Sequence, residues 1–231
     1  DFKIYNTWDT NNKKEIDLNN FFAGYNKEDW IFYKNLRDGK YANTKRLTYF
    51  DHDNCKYWNE DNLKILTPTP DLLKKAIDKD DYNDSSYALL FTPPKKDGKS
   101  WKIIFAGDTH DESWKHIINS YETEVTNVDI LIAPHHGRDS KRDFSFQKTL
   151  TPSLTLFGNA SSEHLAYSSY PKIRITNNQA GFVILDINLD RISVLVKNYE
   201  FAKDFRAERE WEVPFKYDNF NAFSLFQFTV K

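Results

Sequence analysis

Apolar and polar positions follow a regular pattern most clearly in the middle of the chain. Ser86-Tyr87-Ala88-Leu89-Leu90-Phe91 and Trp101-Lys102-Ile103-Ile104-Phe105-Ala106 flank a Pro-Pro and Asp-Gly loop, which predicts two strands of a hairpin. Val128-Asp129-Ile130-Leu131-Ile132-Ala133 is largely apolar, the pattern of a buried strand. Between these runs, residues 112–121 carry helical spacing. Further on, residues 143–150 predict a helix, 153–157 a strand, and 181–187 with 191–196 two more strands split by an Asn-Leu-Asp turn.

The first third is less regular. Alternation over residues 2–8 predicts a short strand. Apolar residues at Leu18, Phe21, Phe22, Tyr25, Trp30, Tyr33 and Leu36 predict a helix over 17–37, which Asp38-Gly39 ends. Leu63-Lys64-Ile65-Leu66 reads as a strand entering the rigid Thr67-Pro68-Thr69-Pro70 turn, with a short helix over 72–77. Strands alternating with helices and hairpins define the α/β class. No internal repeat interrupts the order.

Composition narrows the functional classes. The 231 residues suffice for one sizeable core, and 39% hydrophobic with 29% charged residues fits a globular chain. No apolar run approaches the roughly 20 residues of a membrane span. With 32 basic against 34 acidic side chains, no global positive field advertises nucleic acid. Cys55 is the sole cysteine, so an internal disulfide and Cys-rich zinc cages are excluded, and a reducing, cytoplasmic setting is expected. Any metal must then use His and carboxylate ligands. The chain opens on Asp1 and has no methionine, from which a native start further upstream is expected.

Two polar clusters follow apolar strands, at Gly107-Asp108-Thr109 and Pro134-His135-His136-Gly137. Strand ends at one sheet edge are where α/β proteins collect reactive groups. The 27 residues from Asp108 to His135 (135 − 108) accommodate a helix and a strand, so both side chains can emerge at one edge and share zinc or manganese. The alternative is structural: Asp108 caps the following helix, and the histidines satisfy backbone groups in a turn. His110 and Asp111 are expected to cap that helix, and His116 to lie on its surface. Asp84 and Ser85 read as turn residues, and Asp51-His52-Asp53 as a solvated loop rather than a ligand triplet.

Taken together, Asn83-Asp84-Ser85-Ser86 before a strand, Ile104-Phe105-Ala106-Gly107-Asp108, Ile130-Leu131-Ile132-Ala133-Pro134-His135-His136-Gly137 and Phe157-Gly158-Asn159-Ala160-Ser161-Ser162-Glu163-His164 resemble the metallo-β-lactamase-fold hydrolases. Within them the chain is most similar to the metallo-hydrolase domain of bacterial DNA-uptake channel proteins and its stand-alone relatives. The similarity covers about residues 83–197. It implies the C-terminal portion of an αββα sandwich over residues 1–198, followed by a C-terminal extension, 199–231, that packs on the domain or on a partner. Within that extension, the alternation of residues 220–228 suits a sheet edge.

The resemblance further implies two divalent ions, zinc or manganese, bridged by Asp108 with His164 as a terminal ligand. His135 and His136 then approach the metals, one to bind or to give a proton to the leaving group, with Asn159 and Ser161 in support. Phosphodiester bonds of nucleic acid or a nucleotide are the implied substrate, with Arg138 and Lys141, aided by Arg142 and Lys148, near the phosphate. Lactam or thioester hydrolysis and a catalytically inactive binding module are the alternatives. The family's His-x-His-x-Asp-His motif occurs nowhere in the 231 residues, so its ligands are expected from a preceding segment or another subunit.

Overall fold

The structure is a computed structural model that describes residues 3–22, 24–53, 60–171 and 173–230. Phe2, at the start of the expected first strand, and Cys55 lie outside the described residues. Strand β1 (Asn6–Trp8) pairs in parallel with β2 (Lys45–Leu47) around helix α1 (Lys27–Arg37). This helix starts ten residues later than the spacing predicts. The Asp17 carboxylate accepts the backbone N–H of Asn19 (2.8 Å) and the side chain of Asn20, a local turn that competes with helix. Asn26 then accepts from the N–H of Glu28, and Glu28 and Asp29 at the start with Lys34 and Arg37 at the end complement the helix dipole.

Strand β3 (Leu63–Thr67) runs into α2 (Pro70–Lys79), where Thr69 caps the N–H of Leu72 and Pro70 fits the first turn. Strands β4 (Ala88–Phe91) and β5 (Ile103–Phe105) form the expected hairpin, and α3 (Asp111–Val125) leads to β6 (Ile130–Ile132). The helix expected over 143–150 shrinks to α4 (Gln147–Leu150), because the Asp143 carboxylate takes both the N–H and the hydroxyl of Ser145 and holds a turn there. Strands β7 (Leu154–Phe157) and β8 (Arg174–Thr176) follow, then α5 (Asn177–Ala180), β9 (Val183–Ile187), β10 (Arg191–Val196), α6 (Tyr199–Ala207), β11 (Lys216–Tyr217) and β12 (Ala222–Thr229).

The largest sheet has the order β3-β4-β5-β6-β7-β8, antiparallel up to β5 and parallel from β5 to β8. A four-stranded antiparallel sheet has the order β11-β12-β10-β9. One core joins the large sheet to α3 through Ile104, Leu131, Trp114, Ile117 and Tyr121. A second core lies between the two sheets, where Ile103, Ile130 and Leu154 meet Ile192, Val194 and Leu225. Alternating residues of β5 and β6 thus serve opposite cores, which is why these strands read as unbroken apolar runs. Residues 222–229 are hydrogen-bonded along β10, so the segment after residue 198 supplies a strand of this sheet. Among the described residues no helix is long and apolar enough to cross a membrane.

Candidate functional site

Because β5, β6, β7 and β8 run parallel, the segments that follow them all leave at the same sheet edge. Asp108, His135, His136 and His164 therefore share that edge. Gly107 has φ +55°, and a Cβ there would meet the Tyr87 carbonyl oxygen at 2.7 Å, so a side chain would block the close passage of β5 beside Tyr87. The N–H of His135 donates to the Gly107 carbonyl at 2.8 Å and ties the two polar clusters together.

His135 and His136 both adopt left-handed backbone, with φ of 49° and 59°. This conformation costs a non-glycine residue about 1–2 kcal/mol. Two in succession persist because their surroundings impose them. A Cβ on Gly137 would overlap the Phe157 ring, and one on Gly158 would lie 2.5 Å from His136 Nδ1, so the end of β7 packs directly against this turn. The turn places His136 Nε2 at 3.8 Å from Asp108 Oδ1. His135 contacts Ser140 Oγ through Nδ1 at 3.1 Å. Burial holds the His135 imidazole below its ordinary pKa of 6.5, with the Asp108 carboxylate acting in the opposite direction. His135 is neutral at pH 7, as a ligand or a proton acceptor must be.

The loops after β6 and β7 also meet. Arg138 and Leu165 form an antiparallel bridge, the N–H of Asp139 donates to the His164 carbonyl (2.9 Å), and that of Ala166 to the Gly137 carbonyl (3.0 Å). The His164 backbone is thus fixed on the rim, but its exposed imidazole lies 3.4 Å from Glu163 and not against Asp108. Ser161 also bonds Glu163. Arg138, Lys141 and Asn159 are exposed at the same rim. Arg142 is buried instead, its Nη1 donating to the Thr109 carbonyl beneath the Asp108 loop, so it supports that loop from below.

The donor types suit zinc or manganese. Two ligands bound at about 2.0–2.2 Å to one tetrahedral ion stand roughly 3.5 Å apart, so the 3.8 Å between Asp108 and His136 fits a shared ion after a small side-chain adjustment. Among the described residues, no group of three or more His, Cys, Asp or Glu is arranged to hold an ion. The residues present fit part of a ligand set.

Asp108 and His136 open on a cleft of about 480 Å³ whose other wall comes from the N-terminal segment and includes Asp9, Lys14 and Tyr33. Sequence reading missed this wall. Asp9-Thr10 after the apolar end of β1 repeats the strand-then-Asp-Thr pattern of Asp108-Thr109, the one local signal that marks it. Asp9 is buried, which by itself raises a carboxyl pKa, yet bonds from Tyr33 (2.5 Å), Arg46 and the Asn11 N–H outweigh that and hold it below the ordinary value.

Several expectations for individual residues are corrected. His116 is not a plain surface residue: its Nε2 lies 2.6 Å from the Asp51 carboxylate. Asp51 is fully buried rather than solvated, and also bonds Tyr121 while His52 stands at 3.2 Å. This cluster fastens the loop around residue 51 to α3. His110 makes no side-chain cap; Asp84 caps α3 from outside by accepting the N–H groups of His110 (2.9 Å) and Ser113 (3.1 Å). Compared with protein-family models, with curated proteins and with solved structures, the chain matches none.

Proposed function

We propose that this chain carries the Asp-and-His half of a metal-dependent hydrolase of phosphodiester bonds, on a metallo-β-lactamase-like αββα sandwich. The observation that carries this reading is the approach of Asp108 and His136 at the edge of the parallel strands, on a His-His turn held in left-handed backbone. Strained backbone sustained by neighbours is characteristic of functional sites. The two facing sheets with α3 outside agree with the sandwich.

Asp108 and His136 would hold one ion, with His135 and His164 as further donors from the rim and the remaining ligands from another segment or subunit. When bound, zinc or manganese supplies Lewis acidity toward the phosphoryl group and a water of lowered pKa. His135, neutral and engaged by Ser140 through Nδ1, leaves Nε2 to bind an ion. Arg138 and Lys141 offer positive charge to the non-bridging oxygens.

The test is turnover of a chromogenic phosphodiester, a lactam and a thioester with added manganese or zinc, by the protein together with the segment or subunit that supplies the remaining ligands, and by its Asp108→Asn variant. Phosphodiester hydrolysis that falls at least about a hundredfold in the variant, with an unchanged circular dichroism spectrum, is expected. Exclusive turnover of the lactam or thioester reassigns the substrate. Undiminished turnover in Asp108→Asn removes the site.

A further inference from the structure

Beside the candidate cleft lies a second cavity, of about 470 Å³, walled by Phe21, Phe22, Tyr25 and Trp30. The two are contiguous, since Lys14 and Tyr33 line both. Tyr33 forms the partition: its hydroxyl donates to Asp9, a wall residue of the cleft, while its ring pairs with Trp30 at 5.6 Å on the other side. Lys14 is fixed at the junction, because its carbonyl accepts from Arg37 (2.7 Å) and its N–H donates to Asn12 (3.0 Å).

Phe22 and Tyr25 are 74% and 73% exposed although their rings pair at 5.9 Å. Large aromatic rings left in water around a concave surface mark a binding site. An apolar peptide side chain, a sugar and a planar base each have the size and chemistry to enter such a cavity. The walls are mainly rings, those of Phe21, Phe22, Tyr25, Trp30 and Tyr33 with the aliphatic Ile16 among them, Asn26 and Asp29 offer hydrogen bonds at the rim, and Lys14 adds a cation on the path to Asp108. Planar faces with edge hydrogen bonds beside a positive charge match a nucleobase joined to a phosphate.

We infer that the Phe21–Trp30 cavity is a nucleobase subsite, stacking the base next to the phosphodiester that faces Asp108 and His136. This rests on the hydrolase reading and names its substrate class as a nucleotide or a short single strand. A duplex is the poorer substrate, since its base must first be unstacked to enter the cavity.

Calorimetry on the full chain with a short oligothymidylate and an abasic strand of equal length tests it. The base-containing strand is expected to bind roughly tenfold or more tightly. Phe22→Leu with Tyr25→Leu, which keeps apolar bulk and removes the rings at exposed positions, is expected to abolish that difference and leave abasic binding unchanged. Equal affinity for the two strands overturns the subsite, as does a Leu variant that keeps full discrimination. Competition by an apolar peptide but not by thymidine monophosphate also overturns it. Hydrolysis of the abasic strand, lost in Asp108→Asn, reads the catalytic proposal separately. Base-dependent binding without turnover when the segment or subunit with the remaining ligands is present sinks the hydrolase reading and keeps the nucleobase site.

Discussion

At the scale of single residues, the candidate site depends on side chains that glycine leaves out at Gly107, Gly137 and Gly158. Gly158 is compatible in backbone with alanine, but its Cβ would meet His136 Nδ1 at 2.5 Å and Cβ at 3.1 Å. Gly158→Ala is expected to push the imidazole away from Asp108 and to cost about 1–3 kcal/mol of stability, the usual penalty of overpacking. A thermal melt and the His136 ring signals in NMR check this, and an unmoved ring would refute the packing argument. The second prediction at this scale concerns His135. Its folded pKa lies below the unfolded value of 6.5 because burial disfavours the cation. The folded state binds fewer protons in that window, so this contribution to stability is present above pH 6.5 and is lost as pH falls through the lowered folded value. Imidazole chemical shifts followed by pH are expected to give a midpoint below 6.5, and one at or above it contradicts the assignment. Neither relation was legible in the sequence. The Pro134-His135-His136-Gly137 run marked the place, while the pressure of Gly158 on His136 is a contact across 22 residues (158 − 136) that no local pattern encodes.

At the scale of elements, legibility followed the reach of the forces that form each one. Strand β10 occupies the residues that the apolar pattern predicts, because its face buried between sheets repeats every second residue. Helix α1 was overextended because apolar spacing continues through 17–26, whereas the Asp17 turn, a side-chain preference, decides the start. Helix α3 shows the opposite case, a correct element with an unforeseen cap. Its first N–H groups are satisfied by Asp84, 26 residues before His110 (110 − 84). Since this carboxylate serves both the helix start and the loop after Asp108, Asp84→Ala is expected to lower stability by about 1–2 kcal/mol, as removing an N-cap does. Urea unfolding measures it, and a loss under a few tenths of a kcal/mol would show that another group takes over the cap.

At the scale of the whole molecule, the two cores share one sheet, and this joins the far end of the chain to the site. Residues Ile103, Ile130 and Leu154 face the four-stranded sheet, while their neighbours Ile104 and Leu131 face α3 and carry the strands that end in Asp108 and His135. The sequence resemblance stops near residue 197, yet β12 covers one side of β10 along six paired positions from Arg191 to Val196. Ending the chain at residue 198 would leave β10 as an edge with one side of its backbone unpaired, and would uncover Val194 and Val196 where Leu225, Phe226 and Phe205 now pack. At about 25 cal/mol per Å² of apolar surface, losing a strand and a helix from a core removes several kcal/mol, a large part of the stability of any domain. A chain ending at residue 198 is therefore expected to aggregate on size exclusion and to give a collapsed amide spectrum in NMR. A monomer with dispersed signals and intact contacts around Asp108 would show instead that the large sheet folds without its partner, and that residues 199–231 are an appendage to the site rather than part of its foundation.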